Sequence, residues 1–182
     1  SLKILPLICY EIIYSGKLFK NTDFDLIVNI SEDGWFGQSI GPKQHFVHSI
    51  LRAIESGKYV VRSSNNGMAG IVNPLGVIEK KVDIGKSGYI DLKEIRKIQP
   101  TIFSIYGNKD YFNSLSIYNS KLDLLNAYNK INLVPFGEFL PMENILKNIG
   151  LKSLSNNYQS FSSGDQREII DIKYQDFSLK IL

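Results

Sequence analysis

Two short apolar runs constrain this chain most. Residues 2–9, Leu2-Lys3-Ile4-Leu5-Pro6-Leu7-Ile8-Cys9, and Leu26–Ile30 are too short for buried helices, and they are apolar with little alternation. That is the pattern of strands covered on both faces. Between them Glu11–Lys20 reads as a short helix or irregular segment, ended by the turn residues Asn21-Thr22-Asp23. Strand, helical segment and strand predict a parallel βαβ unit, and hence an α/β (α+β) domain. The first strand also carries the only cysteine of the chain, Cys9, to its end. A strand that stops at a sharp turn can present a nucleophile and leave the next backbone N–H free for an oxyanion. A lone cysteine in an apolar run is also commonly an inert core residue, so Cys9 by itself does not decide.

With 182 residues and 43% hydrophobic content the chain has material for one domain with a sizeable core. One cysteine excludes an internal disulfide framework and a multi-cysteine zinc site, while leaving the compartment open. The 21 Lys and Arg are interspersed with 18 Asp and Glu and form no long basic run, which argues against a nucleic-acid partner. No run approaches the ~18 apolar residues of a membrane helix. The first residue is Ser, no signal-peptide pattern follows, and the chain as given reads as soluble. Its start in mid-strand suggests that upstream sequence is missing.

From Pro42 to Ser56 the apolar positions Phe46, Val47, Ile50, Ala53 and Ile54 recur at helical spacing, with Pro42 in the first turn and Gly57 as C-cap. His45, His48, Arg52 and Glu55 fall on the other side and read as surface or interface groups. No third ligand accompanies the two histidines at a known metal spacing. Tyr59–Ser63 reads as a strand, Asn65-Asn66-Gly67 as a turn, and Asn73-Pro74-Leu75-Gly76 as a hairpin joining Gly70–Val72 to Val77–Lys81. Gly88–Leu92 adds a strand, and residues 93–116 read as a surface-running tail. Ser116–Leu125 and Lys130–Val134 have strand character. Met142–Ile149 reads as a short helix, Ser153–Asp165 as a polar loop, and Glu168–Lys173 and Phe177–Leu182 as closing strands.

Ser1-Leu2-Lys3-Ile4-Leu5 is identical to Ser178-Leu179-Lys180-Ile181-Leu182. Overlaying the two copies runs Phe177 through one Ser-Leu-Lys-Ile-Leu into Pro6-Leu7-Ile8-Cys9. The last strand then becomes the nucleophile strand. The overlay predicts a circular permutation, either of the gene or of a circularised or misordered piece.

Several motifs, read in the joined order, are highly specific together. They are Leu133-Val134-Pro135-Phe136-Gly137-Glu138-Phe139-Leu140-Pro141, Ile8-Cys9-Tyr10-Glu11, and Asn29-Ile30-Ser31-Glu32-Asp33-Gly34-Trp35-Phe36-Gly37. Gly41-Pro42-Lys43-Gln44-His45, Arg52-Ala53-Ile54-Glu55, Arg62-Ser63-Ser64-Asn65-Asn66-Gly67 and Ser104-Ile105-Tyr106-Gly107-Asn108 follow. In these the chain resembles the nitrilase, or carbon-nitrogen hydrolase, superfamily, and most closely its apolipoprotein N-acyltransferase branch. The resemblance implies a single domain over 1–182, in which 1–112 resembles the family's C-terminal part and 115–182 the part that normally precedes it. The implied fold is a four-layer αββα sandwich, partial and permuted.

Such enzymes use a Glu-Lys-Cys triad: a glutamate base, a lysine that stabilises the tetrahedral oxyanion, and a cysteine that forms a thioester. By resemblance Cys9 is the nucleophile, Lys130 the lysine, and Glu138 a second carboxylate that holds lysine or base in register by a charge-assisted hydrogen bond. Read from residue type alone, Lys130 is an exposed surface lysine and Glu138 a solvated loop acid. Tyr10 would give a backbone N–H to the oxyanion hole. Glu11 would give a structural hydrogen bond near the turn, or act as a helix N-terminal acid. Trp35 and Phe36 would line the acyl entrance or serve as a packing plug, and Asn65 and Asn66 would border the substrate pocket or simply form a turn. The block that carries the family's base glutamate does not occur in these residues, and neither do its membrane helices.

The resemblance implies transfer of an acyl chain from a phospholipid donor to the N-terminal diacylglyceryl-cysteine of an apolipoprotein, at the periplasmic face of the bacterial inner membrane, with no metal or organic cofactor. Two other readings stand beside it: a soluble nitrilase-like amidase that resolves the thioester with water, and a non-enzymatic degenerate fragment.

Overall fold

The structure, a computed structural model, describes residues 2–16, 18, 23–90, 102–107, 112–118, 123–135, 138, 139, 141, 142 and 161–172, with backbone alone for 102–107. The predicted parallel unit is present. Strand β1 (Leu2–Ile8) pairs in parallel with β2 (Leu26–Glu32), and β2 in parallel with β3 (Tyr59–Asn65). Strands β4 (Ala69–Val72) and β5 (Ile78–Val82) extend this sheet as the expected hairpin. Its turn is closed by Asn73, whose side-chain oxygen accepts from the backbone N–H groups of Leu75 and Val77. At the other edge β9 (Ile170–Ile172) runs antiparallel to β1, with Leu2 opposite Ile172 and Ile4 opposite Ile170. That ladder ends before Pro6, which has no N–H to contribute. The six-stranded order is β5-β4-β3-β2-β1-β9.

Residues 93–116 are not all tail. Strand β6 (Ile102–Gly107) pairs antiparallel with β7 (Asn113–Tyr118), from Ile102 opposite Tyr118 to Gly107 opposite Asn113, and β8 (Leu124–Asn129) completes a second sheet. Leu115 and Ile117 point to one face by strand alternation and are fully buried. The predicted strand Ser116–Leu125 stops at Tyr118 and resumes as β8. Residues 88–90 have no regular structure, contrary to the strand expected at Gly88–Leu92. The predicted helix from Met142 and the strand Phe177–Leu182 lie outside the described residues, apart from Met142 itself.

Alternation along β1–β3 sorts the core into two. Leu2, Ile4, Ile8, Leu26, Val28, Ile30 and Val61 face the second sheet and meet Leu115, Ile117 and Tyr128. Leu5, Leu7, Ile27, Val60 and Val72 face helix α1 (Gly41–Ser56) and meet Phe46 and Ala53. The described residues thus form three layers, helix, sheet and sheet, consistent with the α+β nitrilase-like fold.

Helix α1 ends where expected, with Gly57 in the left-handed region at φ 64°. Its buried face differs from the predicted stripe: it carries Pro42, His45, Phe46, Ser49, Arg52 and Ala53, whereas Val47, Leu51 and Ile54 are exposed. The rotation follows from what the sheet offers beneath the helix, since the Asp33–Arg62 pair is buried there and His45 hydrogen-bonds to Asp33. Phe46→Ala is expected to cost about 3–5 kcal/mol and Val47→Ser under about 0.5 kcal/mol in urea unfolding. Equal costs would contradict this orientation.

Candidate active site

The site begins with a backbone constraint. Cys9 follows β1 as the first residue of a 3-10 turn, Cys9–Ile13, and has φ 51°. A non-glycine residue in this left-handed region costs roughly 1–2 kcal/mol and persists only where its surroundings enforce it. Enforcement comes from Glu11. Its carboxylate, fully buried, accepts the backbone N–H of Ile8 at 2.9 Å, closing the turn around Cys9. The same carboxylate accepts from Tyr128 Oη at 3.0 Å and from the backbone N–H groups of Ile131 and Asn132 at 3.2 Å each. Arg167 Nη2 stands 3.4 Å away. Glu11 is therefore a hub between the Cys9 turn and the chain after β8, more than a helix-terminal acid. Because Ile131 and Asn132 give their N–H groups to Glu11, Lys130–Val134 is a loop and not the predicted strand.

Burial and proximity to Glu11 both push the Tyr128 phenol up, so it remains a donor to the carboxylate. Lys130 follows directly from β8 and is fully buried, unlike a surface lysine. Its Nζ donates to both oxygens of Glu138 at 2.8 Å. Glu138 is buried too and is fixed from the remaining sides: Val134 N donates to Oε2 at 2.8 Å and Asn113 Nδ2 to Oε1 at 2.7 Å. A paired, fully hydrogen-bonded carboxylate of this kind holds an ammonium in place at low configurational cost.

Cys9 and Glu138 line one pocket of about 290 Å³, together with Ile30, Trp35, Phe112 and Phe161. Lys130 is not among the lining residues and reaches the site through Glu138. The Cys9 sulfur lies 4.0 Å from the carbonyl oxygen of Glu32. Of the two aromatic candidates, exposed Trp35 lines the pocket and its Nε1 donates to that same carbonyl at 2.9 Å. Phe36 does not line it. It packs edge-on against His45 and beside Tyr10, as a plug.

Asn65 and Asn66 line a larger groove of about 1120 Å³ that shares Ile30 and Ser31 with the Cys9 pocket. Both amides donate to the Glu32 carboxylate, at 2.5 and 3.1 Å. Asn66 has φ 56°, and Gly67 sits so close to the Asp33 carboxylate and Ser64 Oγ that a Cβ there would collide with them.

The helix-side network is the part that sequence reading misplaced. His45 and Arg52 are buried and not surface groups. His45 Nδ1 donates to Asp33 Oδ1 at 2.8 Å, and its ring stacks on Tyr10 at 5.0 Å. Arg52 reaches the backbone carbonyls of Ile12 and Ile13 and pairs with Glu55 at 2.7 Å. Asp33 also accepts from Arg62 Nη2 at 2.8 Å and from Ser31 Oγ at 2.8 Å. The available signal was a polar residue at every second position from Asn29 to Asp33, beside an arginine inside a strand.

Over half of the chain, residues 2–99, matches the carbon-nitrogen hydrolase family. The chain belongs to the carbon-nitrogen hydrolase family. Among curated relatives, it is 46% identical over 110 residues to the apolipoprotein N-acyltransferase of Rickettsia bellii, covering 59% of this chain and 22% of that protein. It is 41% identical over 105 residues to that of Bradyrhizobium diazoefficiens, covering 57% and 20%. The chain therefore spans about a fifth of the length of these relatives. A solved CN-hydrolase superfamily protein from Xanthomonas campestris, with an arsenic adduct in its active site, is 17% identical. It covers 46% of this chain and 37% of its own, with a TM-score of 0.38.

Burial alone would push the Asp33 carboxyl up. The His45 hydrogen bond, the Arg62 charge and the Ser31 hydroxyl outweigh it and hold the group well below the usual carboxylate range. A depressed folded-state value means stability that is present above the unfolded value, near ~3.9, and lost as pH falls toward the folded one. Asp33→Asn should therefore be less stable than the parent in urea at neutral pH, with the gap narrowing below about pH 4. A gap independent of pH would contradict the ionised assignment.

Proposed function

We propose that this chain carries the nucleophile, lysine and second carboxylate of an apolipoprotein N-acyltransferase, working through a Cys9 thioester. The observation that carries the reading is the pocket in which Cys9, at a strained strand-end turn, meets the carboxylate that holds a fully buried lysine. Kinship with proteins named for this activity supports the choice of reaction.

In the first half-reaction the Cys9 sulfur attacks a phospholipid ester carbonyl. A C–S bond forms, the ester C–O bond breaks, and the lysophospholipid leaves with the proton given up by the thiol. In the second, the α-amine of a diacylglyceryl-cysteine attacks the thioester, a C–N bond forms, the C–S bond breaks, and the thiol is restored with a proton from the amine. The ammonium of Lys130, kept in place by Glu138, offsets negative charge that develops on the carbonyl oxygen. The Tyr10 backbone N–H is the second donor in this scheme. Trp35 lines the acyl entrance, and Asn65 and Asn66 border the acceptor side in the adjoining groove. The donor and acceptor are lipids, so the working site is the periplasmic face of the inner membrane. No helix among the described residues is long and apolar enough to cross a membrane.

Incubation with phospholipid vesicles followed by intact-mass measurement should show one acyl adduct, labile to hydroxylamine and absent from Cys9→Ala. Lys130→Ala should lower adduct formation by about 10²-fold or more. Ammonia release from small amides without any acyl adduct would replace this reading with that of a hydrolase.

A further inference from the structure

The Cys9 turn is held from a second side. Leu7, Asn29 and Arg62 form one register row across the parallel strands β1, β2 and β3. Asn29, fully buried between Val28 and Ile30 in β2, donates from Nδ2 to the carbonyl oxygens of Leu7 at 3.0 Å and Cys9 at 3.4 Å. Its own Oδ1 accepts from Arg62 Nη1. Arg62, also fully buried, is locked by Asp33 on Nη2 at 2.8 Å and by the Met68 carbonyl on Nε at 3.3 Å. His45 and Ser31 fix Asp33 in turn.

An amide side chain that is 0% exposed in a strand is costly unless every polar atom is used. Here both ends are used, and one of them on the peptide group of the strained residue. A leucine would fill the same space without that cost. We propose that Asn29, with Arg62 behind it, is a positioning residue for Cys9. It fixes the Cys9 carbonyl so that the Cys9–Tyr10 peptide stays in the orientation that presents the sulfur to the pocket. This rests on the reading of Cys9 as the nucleophile.

The geometry assigns different work to the two sides. Glu11 takes the N–H before Cys9, and Asn29 takes the carbonyl after it. Together they hold the Leu7–Ile8 peptide by its N–H and its carbonyl, and Asn29 alone holds the Cys9–Tyr10 peptide. The buried Arg62–Asp33 pair serves as the anchor for the amide, since it is the only charged group hydrogen-bonded to Asn29 among the described residues.

Because Cys9 is the sole cysteine, its alkylation by iodoacetamide can be followed on the full chain without interference and without any acyl substrate. Two variants are compared with the parent across pH: Asn29→Leu, which removes all three bonds, and Asn29→Asp, which keeps an acceptor for Arg62 and removes the donor to Leu7 and Cys9. Unfolding transitions are recorded alongside. The expected result is a change of at least about fivefold in alkylation rate with a displaced pH profile in a variant that still unfolds cooperatively, and loss of thioester formation in the same variant. If Asn29→Leu does not fold, the same result is required of Asn29→Asp. A folded variant with the parent's alkylation rate and pH profile overturns the proposal, as does failure of both variants to fold, which would make Asn29 a stability residue alone. A parent that forms no thioester while its alkylation still responds to Asn29 overturns the acyl-transfer reading and leaves the positioning role standing.

Discussion

The Glu11 carboxylate is the interaction on which the arrangement depends. A buried anion costs several kcal/mol unless donors replace its hydration, and here the donors come from two separate stretches. The Ile8 N–H belongs to β1, whereas Tyr128, Ile131 and Asn132 belong to the segment that leads into and out of Lys130. Satisfying one charge therefore fixes two things at once, the left-handed turn at Cys9 and the exit of the chain from β8. Lys130 is delivered by that exit. Glu138 is set against it eight residues later, and its carboxylate opens onto the pocket that Cys9 lines.

The second buried charge system lies on the opposite face of the same sheet. Arg62 and Asp33 sit between the strands and α1, where burial depresses the guanidinium and the neighbouring carboxylate offsets that cost. This pair decides which face of α1 turns inward. The helix buries His45 and Arg52 and leaves Val47, Leu51 and Ile54 outside. One sheet thus carries a polar device on each side, both converging on the end of β1.

The parallel strands, the bounds of α1 and the Asn73 hairpin were legible because their signals are local: apolar runs, a proline and a glycine at the helix ends, an Asn-Pro-Leu-Gly turn. Helix orientation was not legible, since hydrophobic periodicity is blind to a histidine that is buried only because Asp33 is buried beside it. The pair β6 and β7 escaped for a related reason. Alternation in Asn113–Tyr118 is short, with Ser114 and Ser116 alternating with Leu115 and Ile117, and its strand state depends on partners distant in sequence. Cys9, Glu11, Lys130 and Glu138 could be picked out by motif. Asn29 opens one of the motifs, yet its role was not legible, because nothing in Val-Asn-Ile tells which carbonyl the amide will reach.

A double-mutant cycle between Glu11→Gln and Tyr128→Phe, read by urea unfolding, tests most directly whether the Cys9 turn and the Lys130 segment are joined as described. Tyr128 Oη lies 3.0 Å from the Glu11 carboxylate, and a hydrogen bond to a buried charge predicts a coupling of about 1–3 kcal/mol. Effects that add to within about 0.3 kcal/mol would mean that the two segments do not meet through this carboxylate. The site built on it would then fall with it.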